Sequence, residues 1–186
     1  ALSAAGAGYV LGCPITTIAD GLRHLNGVPG RMERIQAGQP FGVIVDAAAT
    51  EAALRTALES LKPLVKRRLI VIFGCAGERD IARGEGMGRV AAELADLSIV
   101  TNENPRSADP EELVAAIVRA MESTGASEPM DFEQQPQRRA AIARAFELAQ
   151  PDDLVLIVGK GAEQTMIYAD RTDPWDDRLV AFELLN

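Results

Sequence analysis

Between the apolar run Leu97-Ser98-Ile99-Val100 and a helix start at Pro110, the chain places Asn102-Glu103-Asn104-Pro105-Arg106. The helix start is marked by Asp109 as N-cap, Pro110 at the first helical position and Glu112 at the third, the pattern of a capping box. Three further polar clusters follow apolar runs: Asp46 onward, Gly74-Cys75-Ala76-Gly77-Glu78-Arg79-Asp80, and Gly159-Lys160-Gly161-Ala162-Glu163-Gln164. Their charges are mixed. Arg79, Arg106 and Lys160 are cations; Glu78, Glu103 and Glu163 are anions beside them. A guanidinium suits two-point recognition of a carboxylate, and a carboxylate such as Glu163 suits an ammonium group. Asn104 can both donate and accept, and Pro105 stiffens its loop. Together these residues could hold a zwitterion such as an amino acid. The residues alone leave open a second reading, a set of loop-stabilising salt bridges on a solvated rim.

The elements that must position these loops follow from hydrophobic patterning. Residues 2–12 are Ala/Gly-rich and helical in pattern. A second helix is expected over Cys13–Leu25, with His24 near its carboxyl end, where a histidine is common. A Gly/Pro linker then turns into a strand near Arg34. Thereafter strand and helix alternate. The expected strands are 41–47, 68–74, 97–101 and 153–159, with one short strand within 123–136. The expected helices are 50–64 (Thr50 as N-cap), 87–96, 110–122 and 138–150, and residues 178–185 read as strand or helix. Such alternation predicts an α/β fold, a Rossmann-like doubly wound, mostly parallel sheet with flanking helices. Ligands of such sheets sit beyond the carboxyl ends of the strands. If the four long strands are neighbours, the four polar clusters share one rim.

Bulk properties narrow the function. The chain has 186 residues, 47% apolar and 25% charged, enough for one domain or one domain with an attached piece. Its formal charge of −8 argues against nucleic acid or an anionic membrane as partner. No apolar run approaches the 18 or so residues of a membrane span, and a cytoplasmic protein is expected. Cys13 and Cys75 stand alone and His24 is the one histidine, so neither a metal centre nor a Ser-His-Asp triad is signalled. Nucleotide-binding fingerprints are missing: Gly159-Lys160-Gly161 lacks the P-loop spacing, and the cluster after Phe73 lacks GxGxxG. Gly84, Gly86 and Gly88 could open a helix as a small anion nest, although a plain flexible turn is the simpler expectation. The glycines of the amino-terminal helix are expected to serve close helix packing. The chain starts with Ala inside an expected helix, which suggests a fragment or processed product.

Taken in register, five segments resemble one family: residues 27–35, the strand with Gly74–Asp80, residues 87–111, residues 153–164, and residues 176–181. The chain is similar throughout to the C-terminal region of the Mur ligases, especially the branch that adds the third residue of the peptidoglycan stem peptide. The resemblance implies two parts. Residues 1–30 would be the closing helices and linker of a central ATPase domain, and residues 31–186 the C-terminal domain. It also implies a role: presenting an incoming diamino acid, meso-diaminopimelate, to an acyl-phosphate of a UDP-linked muramoyl peptide. ATP and Mg2+ would be needed by the intact ligase, with no cofactor held by this chain and no catalytic residue in it. The central ATPase and N-terminal domains of the same protein would be its partners. The family's Asp-Asn-Pro-Arg motif stands here as Glu103-Asn104-Pro105-Arg106, so Arg106 would hold the distal carboxylate. Gly-Asp-Arg-Asp stands as Gly77-Glu78-Arg79-Asp80, making Arg79 a second carboxylate contact. Gly-Lys-Gly-His-Glu stands as Gly159-Lys160-Gly161-Ala162-Glu163, with Gly159 and Glu163 facing the distal ammonium. Asp46 and Thr50 would lie on the nucleotide side. The departures fall mainly there. The family's Asp-Tyr-Ala-His-Thr-Pro reads Asp46-Ala47-Ala48-Ala49-Thr50-Glu51, its Gly-Lys-Arg-Pro reads Ala82-Arg83-Gly84-Glu85, and its His before Glu163 is Ala162. A degenerate, non-catalytic binding or scaffold protein is the alternative these losses leave open.

Overall fold

The computed structural model describes residues 2–25, 27–78 and 81–186. Six strands lie side by side: β1 (Glu33–Arg34), β2 (Gly42–Val45), β3 (Leu69–Phe73), β4 (Leu97–Val100), β5 (Phe132–Gln134) and β6 (Leu154–Ile157). Their order is β1-β2-β6-β3-β4-β5. The short β1 runs antiparallel to β2, and every other pairing is parallel. Helices α3 (Glu51–Leu61), α4 (Ile81–Leu94) and α5 (Pro110–Glu122) cover one face; α6 (Arg138–Leu148) and α7 (Asp177–Leu185) cover the other. This is the expected Rossmann-like α/β arrangement.

Two-residue periodicity explains why both faces are apolar. Along β3, Leu69, Val71 and Phe73 enter the core under α3, α4 and α5, while Ile70 and Ile72 enter the core under α6 and α7. A strand buried on both sides must therefore be apolar at every position, as β3 is. The helices seat their apolar stripes on these ridges, Leu54, Leu58 and Leu61 from α3 and Val114, Ile117 and Met121 from α5. Caps set where they start. Thr50 Oγ1 accepts the Ala53 N–H at 3.2 Å. Asp109 accepts from Glu111 at 2.9 Å, one position earlier than the capping-box pattern predicts.

One expectation is corrected, one open segment is settled and one unread hairpin is added. Helix α4 begins at Ile81, well before Met87, so Gly84, Gly86 and Gly88 lie inside it. They form neither an anion nest nor a flexible turn. A Cβ at Gly84 would press on Cys75 at 3.1 Å, and one at Gly88 would lie 2.9 Å from the Ile117 carbonyl oxygen. Close packing of α4 against α5 and the loop after β3 outweighs the ~1 kcal/mol per glycine that helix propensity costs. A separate antiparallel hairpin, β7 (Thr165–Ile167) with β8 (Thr172–Pro174), occupies a stretch with no strand pattern. The ambiguous segment 178–185 is helix α7, because Asp176 caps it by accepting the Arg178 N–H at 2.9 Å.

The amino-terminal helices, α1 (Leu2–Val10) and α2 (Ile15–Arg23), bury none of their residues. His24 is the carboxyl-terminal cap of α2, as the pattern suggests. Of the glycines in this region, Gly8 meets a neighbour, Ile18, while Gly6 and Gly12 meet nothing. None of the described helices is long and apolar enough to cross a membrane. The burial contrast predicts opposite sensitivities. Leu58→Ala, at a fully buried position, should lower the unfolding free energy by about 2–5 kcal/mol. Val10→Ser on α1 should change it by less than about 0.5 kcal/mol. Urea unfolding of both variants measures the difference.

Candidate functional site

Strands β2, β6, β3 and β4 are consecutive in the sheet and run the same way. The four polar loops therefore do share one rim. The loops after β3 and β4 touch backbone to backbone: Gly77 N donates to Asn104 O at 2.8 Å. A side chain at Gly74 would overlap the Thr101 carbonyl, and one at Gly77 the Pro105 carbonyl. Only glycine permits that approach.

Asn104 is the hub. Its Oδ1 accepts from Lys160 Nζ at 2.8 Å and from Ile167 N at 3.0 Å, while its Nδ2 donates to Glu163 Oε2 at 2.9 Å. Lys160 Nζ also reaches Glu163 Oε2 at 3.1 Å. Asn104 and Lys160 are buried, whereas the Glu163 side chain is half exposed. Burial pulls the Lys160 ammonium below the usual lysine range, although its hydrogen bond and ion pair with Glu163 oppose this. Hairpin β7–β8 thus docks on the pocket through the Asn104 side chain, and Arg106 N donates to Ile167 O at 3.0 Å beside it.

Glu103 is 6% exposed and lies against Gly159, where a Cβ would come within 2.7 Å of its Oε2. Gly159 has φ +109°, so glycine is required there by backbone and space alike. Burial pushes the Glu103 carboxyl above the usual range; Arg138, Lys160 and Arg83 pull it back in part, and Glu163 adds to the rise. Arg106 adopts a left-handed backbone with φ 54°, as does Glu78 with φ 58°. Each costs on the order of 1 kcal/mol in a non-glycine residue, strain of a kind that gathers at binding sites. The Arg106 guanidinium is 4.0 Å from the Glu78 carboxylate. Its Nε is buried and has no hydrogen-bond partner among the described residues. Glu78 accepts from Ser107 Oγ at 2.7 Å, a bond that lowers its carboxyl below the usual range, with the Arg106 charge assisting.

The structure thus brings Glu103, Asn104, Arg106, Gly159 and Glu163 together. Arg79 lies outside the described residues. Asp46 and Thr50 sit on the neighbouring loop with bonds of their own. Asp46 accepts from Met32 N at 2.9 Å and Ala48 N at 2.8 Å, and Thr50 caps α3. Nearby, Arg83 Nε donates to the Ala49 carbonyl. Sequence reasoning missed the buried ion pair beneath the pocket, Arg138 with Asp177. Arg138 Nε and Nη2 donate to the two Asp177 oxygens at 2.8 and 2.6 Å. Its signal was available: a cation as the first residue of a helix opposes the helix dipole and needs a compensating anion.

Residues 30–161 match the family model described as Mur ligase, glutamate ligase domain. The chain belongs to the Mur ligase family. A 2,6-diaminopimelate-adding ligase of UDP-N-acetylmuramoyl-L-alanyl-D-glutamate from Gloeobacter violaceus is 42% identical over 186 residues, covering 100% of this chain and 37% of its own. The corresponding ligase of Solibacter usitatus is 40% identical over 184 residues, 99% of this chain and 36% of its own. A solved structure of a ligase of that name superposes with a TM-score of 0.75 at 31% identity, over 99% of this chain and 37% of the other. The Mur ligase chain described here therefore spans a little over a third of the length of these relatives. A Mycobacterium tuberculosis folylpolyglutamate synthase, at 23% identity and a TM-score of 0.62 over 82% of this chain and 34% of its own, shares the fold.

The buried Glu103 gives a signed pH prediction. A carboxyl whose folded pKa is raised supports folding at low pH, and that support is lost as pH rises through the folded value. Glu103→Gln removes the titration. Relative to wild type, the variant should therefore gain stability between pH 4 and pH 8. Urea midpoints at the two pH values test this; a constant difference would contradict the assignment.

Proposed function

We propose that this chain is the amino-acid-presenting part of an ATP-dependent amide ligase. The ligase would join meso-diaminopimelate to a UDP-N-acetylmuramoyl-dipeptide in the cytoplasmic steps of peptidoglycan synthesis. The observation that carries the reading is the buried Arg106 Nε, without a partner among the described residues and held by a strained backbone beside the Asn104–Lys160–Glu163 network. A donor left unsatisfied in a native fold has room for an acceptor, and a ligand carboxylate supplies one. A distal carboxylate would take Arg106, with Arg79 as a second contact. The distal ammonium would take the exposed side of Glu163, with the Gly159 backbone and Glu103 beside it. Gripping the far end of the diamino acid leaves its other amine free to attack a carboxyl group activated elsewhere in the ligase, a gain in orientation rather than in chemistry.

The proposal places neither ATP nor Mg2+ on this chain. No group of three His, Cys, Asp or Glu among the described residues could hold a metal ion, and both Asp46 oxygens already serve backbone N–H groups. Those groups belong, in this reading, to the central ATPase domain, of which residues 1–30 would be the terminal helices and linker. Names of relatives at 40% and 42% identity support the substrate class.

Calorimetric titration of the chain with meso-diaminopimelate tests the pocket, with lysine and ornithine as controls. Saturable binding of the diacid alone is expected. Arg106→Ala should weaken it by about 1.5–3 kcal/mol, the worth of a hydrogen bond to a charged group. Unchanged affinity in that variant would rule Arg106 out as a contact.

The nucleotide-side replacements favour a second reading, a protein that keeps the pocket but no longer ligates. Ala47, Ala49 and Ala162 offer no polar side chain where the family pattern has Tyr and His, and Arg83 is spent on the Ala49 carbonyl. Restoring His at Ala49 and Ala162 in the full-length protein should raise ligation if these losses cripple it. A wild-type protein that ligates at full rate would dismiss this reading.

A further inference from the structure

Strands β4 and β6, whose loops carry the two halves of the pocket, are not neighbours. Strand β3 lies between them, which separates their backbones by roughly 10 Å. No sheet hydrogen bond joins β4 to β6 directly: the ladders through β3 end at Thr101 and Val158, and beyond them side chains must link the loop holding Glu103, Asn104 and Arg106 to the loop holding Gly159, Lys160 and Glu163. Lys160 to Asn104 spans the gap, but an incoming ammonium group competes for that same network.

A second link lies below the pocket. Arg138 Nη1 donates to Asn102 O at 3.1 Å, at the end of β4, and Nη2 donates to Val158 O at 2.8 Å, at the end of β6. The guanidinium itself is locked by the two bonds to Asp177, and Asp177 Oδ1 also accepts from Trp175 Nε1 at 2.8 Å. The Arg138 and Asp177 side chains are 1% and 0% exposed. Four of the five N–H groups of the fork are thus committed, two to the anion and one to each strand end. Lysine has no such fork.

We propose that Arg138 is a positioning residue of the diamino-acid pocket: anchored by Asp177, it ties the strand ends that carry Glu103-Asn104 and Gly159-Lys160 and fixes the distance between them. The proposal rests on the pocket assigned above. It has one consequence that needs no substrate. Arg138 is the leading charge opposing the effect of burial on Glu103, ahead of Lys160 on the β6 loop and Arg83 on α4, while Glu163 acts in the other sense. Moving the guanidinium must move the Glu103 titration.

The test uses the whole 186-residue chain and two variants. Arg138→Lys keeps the charge but loses the fork. Trp175→Phe frees one Asp177 lone pair and leaves both charges buried, so it stays informative if the first variant does not fold. Folding is checked by circular dichroism and urea midpoints. The Glu103 carboxyl is followed by carbon-13 NMR across pH, and meso-diaminopimelate binding by calorimetry. Arg138→Lys should titrate Glu103 at higher pH and lower the affinity about tenfold or more; Trp175→Phe should shift both in the same direction, less far. A folded variant with an unmoved Glu103 titration and wild-type affinity would overturn the proposal. If wild type itself does not bind the diacid, the functional reading fails, and the Glu103 titration alone decides the role of Arg138.

Discussion

Parallel pairing in the order β2-β6-β3-β4 is the constraint on which the pocket depends. It delivers four loops to one rim and points them the same way, but it also inserts β3 between the two loops that must cooperate. The chain resolves this conflict with small residues and buried polar groups. Gly74 and Gly77 let the β4 loop cross over the end of β3. Asn104 then reaches Lys160 and the hairpin, and Arg138 reaches both strand ends from below.

The same crowding sets the electrostatics. Two carboxylates, two guanidinium groups and an ammonium group meet at the rim. Burial disfavours the charged forms of Glu103 and Lys160, and the charges around them offset this only in part. At the opposite end of the sheet Asp153 shows the other outcome. Burial raises it, but Arg68, the Gln150 N–H and Arg67 outweigh burial, and its carboxyl falls below the usual range. Asp153 is structural because its hydrogen bonds saturate it. The pocket groups keep capacity to spare: an Arg106 Nε with no partner among the described residues and an exposed side on Glu163. That spare capacity separates a binding site from a brace.

Much of this was legible in the sequence. The apolar runs at β2, β3, β4 and β6 identify the buried strands, and the polar clusters at their ends identify the rim. Glu103, Asn104, Arg106 and Glu163 were readable as one constellation because residue type and strand-end position agree. What was not legible depends on contacts between distant segments. Gly84, Gly86 and Gly88 look like a turn until α5 is seen packed on the first and last and Glu51 of α3 against the second. Hairpin β7–β8 has no strand pattern, because its place is set by Asn104 and Arg106 rather than by its own side chains. Asp46 and Thr50 look like ligand-facing polar residues, yet their bonds go to nearby backbone. The Arg138–Asp177 pair joins residues 39 apart in sequence, and a helix-start arginine is only a hint that such an anion exists.

The central claim is that the rim holds a diamino diacid by its far end, carboxylate on Arg106 and ammonium on Glu163. A crystal structure of the chain grown with meso-diaminopimelate tests it most directly. The account predicts a ligand carboxylate within hydrogen-bond distance of Arg106 Nε and a ligand ammonium within the same distance of Glu163. A ligand bound elsewhere, or one whose carboxylate avoids Arg106, would contradict it.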